Sequence, residues 1–104
     1  MSIDEFRASL SRSEPAAGLD PALQALWWDA RGNWDQAHHF AQLNEADPRA
    51  AWVHAYLHRK EGDPTNAAYW YRRAGQPVAG GELDSEWLAI ARSLLAARGS
   101  NGAD

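Results

Sequence analysis

The chain contains no cysteine, one methionine and few β-branched residues. Without cysteine it can form no disulfide, no thiol nucleophile and no thiolate metal site. No uninterrupted apolar run approaches the roughly 20 residues that a membrane-spanning helix needs. Residues 1–6 lack the basic flank and the apolar stretch of a signal peptide. These absences predict a cytoplasmic protein with no membrane association.

The chain also has fewer basic than acidic residues, 10 against 14, so its net charge is −4. Such a balance gives no general attraction to nucleic acid or to an anionic membrane. Aromatic residues, in contrast, are abundant: the 104 residues include six Trp, three Tyr and two Phe. Each aromatic side chain can bury about 150–250 Å², so the chain is expected to form one domain with its own core.

The sequence marks the ends of its helices clearly. Asp-Pro pairs at 20–21, 47–48 and 63–64 predict helix starts, because Asp accepts hydrogen bonds from the first turn and Pro needs no partner there. Asn33 and Asp84 predict two further starts. Glycines that follow helix-compatible stretches predict the helix ends: Gly32, Gly62, Gly75 and Gly99.

Between these marks the apolar residues recur at helical spacing, and no alternating pattern indicates a strand. We therefore predict an all-α fold of about six helices in a single domain over 1–99. The helices are expected at 3–12, 21–31, 34–45, 48–61, 64–74 and 84–98. The last of them acts as a capping helix, and 100–104 is expected to form a frayed tail.

A shift of 30 residues reveals an internal repeat, because it places Ala25 on Ala55, Gly32 on Gly62 and Ala37 on Ala67. The segment 32–37 (GNWDQA) and the spacing Ala67-x-x-x-Tyr71 resemble tetratricopeptide and Sel1-like repeats. The stretches 54–63 and 66–74 also resemble a group of small bacterial proteins without an assigned activity.

The resemblance covers residues 21–77 as two helix pairs, with a period of 30 where the tetratricopeptide unit has 34. It implies antiparallel helix hairpins stacked as a short right-handed superhelix. Proteins of this kind hold partner segments in a groove, so the function that the sequence favours is non-enzymatic protein–protein interaction. No catalytic motif and no cofactor site of known type is present.

The predicted groove combines hydrogen-bonding and cationic side chains of two successive helices, which favours a protein or peptide partner that carries carboxylates. Its expected lining is His54, His58, Glu61, Asn66, Tyr69, Arg72 and Arg73. A third hypothesis is single-stranded nucleic acid, since Tyr69 and the two arginines combine stacking with charge, although the acidic balance argues against it.

The alternative hypothesis is a small metal-binding protein or metal-dependent enzyme. His54 and His58 are four residues apart and Glu61 is three further on, so all three share one helix face, a spacing typical of metal ligands. His38 can join them from the preceding helix of the hairpin. In the competing interpretation, His54 and His58 are polar groups at the interface between two helices. They are then hydrogen-bonded to Glu61, Asn66 or Tyr69.

Trp27 and Trp28 are adjacent, and neighbouring helical residues point about 100° apart. Trp27 belongs to the apolar stripe of its helix. Trp28 is expected either to pack under the first helix or to stay exposed. In the second case it would serve as a binding anchor and would allow a homodimer.

Overall fold

The computed structural model describes the backbone of residues 1–103 and the side chains of residues 1–97. This part of the chain is all-helical, as the sequence predicted, and contains no strand. Its six α-helices are α1 (Ile3–Ala8), α2 (Pro21–Ala30), α3 (Trp34–Gln42), α4 (Pro48–Lys60), α5 (Pro64–Ala74) and α6 (Leu83–Ala103). A 3-10 turn, Ser9–Ser11, extends α1. None of the described helices has the length and apolarity that crossing a membrane requires.

The predicted helix starts at the Asp-Pro pairs and at Asn33 are confirmed. Asp20, Asn33 and Asp63 each accept a hydrogen bond from the backbone N–H three residues ahead, at 3.0, 3.1 and 3.2 Å. Asp47 instead accepts from the N–H of Arg49 at 2.9 Å. Each cap satisfies an amide group that the first helical turn leaves free.

Three helices differ from their predicted ends by more than one residue. Helix α1 ends at Ala8 rather than at residue 12, and the 3-10 turn follows it. Helix α3 ends at Gln42 rather than at residue 45, and α6 continues past Gly99 to Ala103. Glycine inside a helix costs only about 1 kcal/mol relative to alanine, so it does not by itself end one. The prediction of a frayed tail concerns residues 100–104, whose side chains, with Asp104 as a whole, lie outside the described part of the chain.

The 30-residue repeat appears as two turns with the same hydrogen bonds. After α2, Asn33 N–H donates to the carbonyl of Trp28 at 2.9 Å, and after α4, Asp63 N–H donates to that of His58 at the same distance. Gly32 and Gly62 occupy the left-handed region in these turns, with φ of 76° and 86°. Short turns of this type place α3 against α2 and α5 against α4.

The main core lies where α2, α4 and α6 meet, and α1 covers one side of it. Trp27 is fully buried and donates its indole N–H to Ser9 Oγ at 3.1 Å. Trp87 stacks on Phe6 with ring centroids 5.7 Å apart and donates to the carbonyl of Leu26 at 3.0 Å. Both indoles therefore bury a large apolar surface without leaving their N–H groups unpaired.

A second, smaller core joins α4 to α5. Its close contacts come from small side chains, Ala51 and Ala55 on α4 and Ala67 on α5, each at most 2% exposed. Trp70 and Tyr71 close the same seam. Because alanine occupies the crossing on both sides, the two helices approach closely and a larger residue there has no room to enter.

Two ion-pair networks connect α4 to its neighbours. Arg59 on α4 pairs with the buried Glu86 of α6 at 2.8 Å, and Tyr71 donates its hydroxyl to the same carboxylate. On α2, the buried Asp29 accepts from Lys60 Nζ at 2.9 Å and from Tyr56 Oη at 3.1 Å. Both buried carboxylates are thus paired and hydrogen-bonded, as burial of charge requires.

We expect Ala67→Leu to lower the free energy of unfolding by about 1–3 kcal/mol, because the added atoms overfill the α4–α5 seam. Ala68→Leu is the matched control, since Ala68 is only partly buried on the same helix turn; it should change stability by less than about 0.5 kcal/mol. Urea unfolding of the three proteins measures the difference. Equal effects of the two substitutions would contradict the packing described for this seam.

Candidate metal centre

Three histidines converge between α3 and α4. His54 and His58 lie one turn apart on α4, and His38 reaches them from α3. The Nε2 atoms of His38 and His54 are 3.1 Å apart. The ring centroid of His38 lies 4.7 Å from that of His54 and 5.1 Å from that of His58, and the two α4 rings are 4.8 Å apart.

The helix register explains this convergence. Residues four apart on a helix share a face, which aligns His54 with His58. Ala37, the residue before His38, is fully buried in the main core, and this contact fixes the rotation of α3 about its axis. Since α4 also contacts α3, His38 meets the two α4 histidines across the helix interface.

Aromatic side chains enclose the cluster on two sides. Trp70 of α5 stacks on His54 with ring centroids 4.0 Å apart and an interplanar angle of 26°. Trp34, one turn before His38 on α3, lies 5.0 Å from the His38 ring. His54 is 3% exposed and His58 is 9% exposed.

Hydrogen bonding in the cluster is incomplete. His58 Nδ1 pairs with Glu61 Oε1 at 2.7 Å, which fixes the orientation of that ring. The His38–His54 contact requires one Nε2 to donate and the other to accept. The Nδ1 atoms of both rings are buried and have no partner among the described residues. Most buried polar atoms in proteins are satisfied, so two orphaned nitrogens in one cluster need an explanation.

The surroundings hold two of these imidazoles in the neutral form. Burial, reinforced by His38 and His58, lowers the pKa of His54 to about 3. The pKa of His38 is also lowered, mainly by burial and further by His58. Neutral imidazole is the form that donates a lone pair to a metal ion.

One pair of nitrogens in the cluster has nearly the spacing found in a three-histidine metal site, and the third ring lies close by. One ring nitrogen from each histidine lies within 4.8 Å of the other two. With Zn–N bonds of about 2.0–2.1 Å, tetrahedral ligands are about 3.3–3.4 Å apart. The 3.1 Å between the Nε2 atoms of His38 and His54 is near that value. Because Glu61 occupies Nδ1 of His58, Nε2 is the nitrogen left to bind.

The structure separates the predicted groove residues into two groups. His54 and His58 face the interior between helices, so they do not line a surface that is open to a partner. The others are exposed at the end of α4 or along α5: Glu61, Asn66, Tyr69, Arg72 and Arg73. Neither Asn66 nor Tyr69 forms a hydrogen bond with His54 or His58. Of the hydrogen bonds predicted for these two histidines, only the one between His58 and Glu61 is present.

Trp28 is partly buried rather than an exposed anchor. Its ring packs edge-on against Trp27 with centroids 4.9 Å apart, and it borders the main core. Its indole N–H is buried without a partner among the described residues.

Sequence reasoning missed the two tryptophans that enclose the cluster. Trp34 stands four residues before His38, a spacing that places both on one helix face and so carried a signal. No signal in the sequence indicated the role of Trp70, because its contact with His54 depends on how α5 is rotated against α4.

Comparison of the chain with protein-family models, curated proteins and solved structures gives no match. The resemblance to tetratricopeptide and Sel1-like repeats therefore stays a prediction.

In the metal-free protein, we expect the His38–His54 contact to appear as a coupling energy. His38→Leu and His54→Leu should each cost about 1–3 kcal/mol of unfolding free energy, because each leaves the ring of the other histidine with no hydrogen bond. The double variant should cost less than the sum by about 0.5–3 kcal/mol. Unfolding with a chelator present measures all three, and the exposed His39→Leu serves as the control. Strict additivity would show that the two rings do not interact.

Proposed function

We propose that this protein binds a divalent transition-metal ion through His38, His54 and His58. The observation that carries the proposal is the convergence of three imidazoles, with one ring nitrogen of each within 4.8 Å of the other two. Buried polar groups left unsatisfied cost about 1–3 kcal/mol each. A cluster that only filled a helix seam would be more stable with apolar residues, so a ligand gives the histidines a reason to be there.

The ligand atoms favour particular metals. Imidazole nitrogen suits Zn²⁺, Cu²⁺, Ni²⁺ and Co²⁺, whereas Mg²⁺ and Ca²⁺ prefer oxygen. Glu61 completes the arrangement from outside, since a carboxylate on the second ring nitrogen orients a metal-binding histidine and raises its basicity. Zn²⁺ is the ion we expect, because three nitrogen ligands match its tetrahedral preference.

Metal binding would join the two helix hairpins. His38 belongs to the α2–α3 hairpin, and His54 and His58 belong to the α4–α5 hairpin. An ion bound to all three adds a cross-link between them and stabilises only the folded state. At a free metal concentration 1,000 times the dissociation constant, the gain is about 4 kcal/mol.

Titration of the purified, chelator-treated protein with Zn²⁺ tests the proposal. We expect one equivalent to bind, with a matching rise in melting temperature, and we expect His54→Ala to abolish both effects. His39→Ala is the matched control, because His39 adjoins His38 but is exposed and outside the cluster. Equal Zn²⁺ binding by the wild type and the His54→Ala variant would refute the proposal.

Protein–protein interaction is the second candidate, favoured by one feature of α5. Tyr69 is 46% exposed, and the Arg73 guanidinium lies 5.7 Å from its ring centroid and donates to its hydroxyl at 3.1 Å. Tyrosine and arginine are enriched among interface hot spots. With Asn66 and Arg72, the pair would form one face of a short tetratricopeptide-like groove for a partner segment that carries carboxylates.

For this second candidate we expect Tyr69→Ala with Arg73→Ala to remove partners that the wild-type chain captures from a cell lysate. Arg92→Ala is the control, since Arg92 is an exposed arginine on α6 rather than on α5. Capture of the same partners by all three proteins would exclude this face of α5 as their binding site.

A further inference from the structure

His58 belongs to two groups of potential metal ligands. The first is the histidine cluster, in which His38 and His54 are the other members. The second consists of His58, Glu61 and Asp63, whose ligand atoms likewise lie within 4.8 Å of one another. Glu61 Oε1 is 2.7 Å from Nδ1 of His58, so the carboxylate lies at the ring nitrogen that the histidine cluster does not use. One imidazole therefore stands between two sets of ligands.

The turn after α4 brings the second group together. Gly62 adopts the left-handed conformation with φ of 86°, and the N–H of Asp63 donates to the carbonyl of His58 at 2.9 Å. This hydrogen bond returns the chain to the last turn of α4. Glu61 is the residue that ends the same helix, as its C-cap. The backbone of the turn thus holds all three ligand residues close to one another.

The repeated turn after α2 shows that the turn itself does not require these side chains. It has the same backbone hydrogen bond at 2.9 Å and a left-handed glycine, Gly32. At the three positions that correspond to the second group, it carries residues with neither imidazole nor carboxylate: Trp28, Arg31 and Asn33. The ligand set after α4 is therefore additional to what the turn needs.

The chemistry of the second group suits a divalent transition metal, because imidazole nitrogen and carboxylate oxygen both bind Zn²⁺ and its neighbours. The Glu61 side chain is 38% exposed, which gives an ion access from solvent. Asp63 accepts from the N–H and the side-chain amide of Asn66 at 3.2 and 2.9 Å. An ionised carboxylate has about four acceptor sites, so Asp63 can cap α5 and still bind an ion. Among the described residues, neither carboxylate forms an ion pair with a lysine or an arginine.

We infer that His58 bridges two metal ions: the ion of the histidine cluster at Nε2, and a second ion at Nδ1 that Glu61 and Asp63 also bind. The inference rests on the proposed metal site and adds a second ion to it. The second ion takes the place of the Nδ1 proton, which passes to solvent and leaves an imidazolate between the two ions. The imidazolate and the two carboxylates carry three negative charges, which offset most of the charge of two divalent ions.

The second ion binds after the first and more weakly, because it must displace both a proton and the hydrogen bond to Glu61. Zn²⁺ at one equivalent therefore fills the histidine cluster alone. In the rival arrangement there is only this one ion, Glu61 stays hydrogen-bonded to His58, and Asp63 serves only as a helix cap.

Asp63→Asn separates the two arrangements. Asparagine caps α3 at Asn33 in the way that Asp63 caps α5, so the variant keeps the helix start and loses a charged ligand. Asp20→Asn is the matched control, because Asp20 caps α2 and stands outside both groups. If Asp63 only caps a helix, the two variants should bind metal alike.

Electron paramagnetic resonance of the protein titrated with Cu²⁺ tests the bridge, because an imidazolate couples the unpaired electrons of two Cu²⁺ ions antiferromagnetically. We expect the integrated signal of the wild type and of Asp20→Asn to rise up to one equivalent and to fall as the second ion binds. Asp63→Asn should bind the first equivalent with unchanged affinity and lose the later fall in signal.

Several results would overturn the inference while the histidine site stays intact. They are saturation of the wild type at one equivalent, a second ion that adds its full signal without coupling, and an equal fall in signal for Asp63→Asn and the wild type. A protein that binds no Cu²⁺ at all would instead refute the histidine site, and the bridge with it.

Discussion

The rest of the structure depends on the burial of α4. This helix contacts α2, α3, α5 and α6, and eight of its thirteen residues are buried. Helices in small domains usually bury one stripe and solvate the other. Because α4 has little solvent-facing surface over its middle turns, any polar side chain placed there must find its partners inside the protein.

The polar residues of α4 meet this constraint in two ways. Arg59 and Lys60, near its end, reach the carboxylates of Glu86 and Asp29, which are buried and fully paired. His54 and His58, further into the helix, are left with one another, with Glu61 and with His38. Among the described residues, the histidine cluster holds two of the three buried side-chain nitrogen or oxygen atoms without a partner, and the third is Trp28 Nε1. Such a local departure from the rule is typical of a functional site.

The sequence predicted much of the fold because the signals lie within single helices. The Asp-Pro pairs and the capping residue Asn33 fix the helix starts, and Gly32 and Gly62 fix the turns. The four-residue spacing of His54 and His58 places both on one face of their helix. Even the approach of His38 follows from neighbouring helices lying side by side. In contrast, the ends of α3 and α6 follow weaker local preferences and differ from their predicted positions.

What the sequence did not predict depends on contacts between helices. The expected open groove at His54 assumed that α5 leaves that face of α4 uncovered, but Trp70 stacks directly on the ring. The smallness of Ala51, Ala55 and Ala67 allows that approach, and its consequence for His54 appears only in three dimensions. The pairing of Glu86 with Arg59 and Tyr71 is likewise a long-range contact without a sequence motif.

The most direct test of the account is a crystal structure of the protein grown with Zn²⁺, with anomalous diffraction measured on both sides of the zinc absorption edge. The account predicts one strong anomalous peak between α3 and α4, about 2.0–2.1 Å from a ring nitrogen of each of His38, His54 and His58. A peak confined to surface carboxylates, or none at all while the three rings keep their present arrangement, would contradict it.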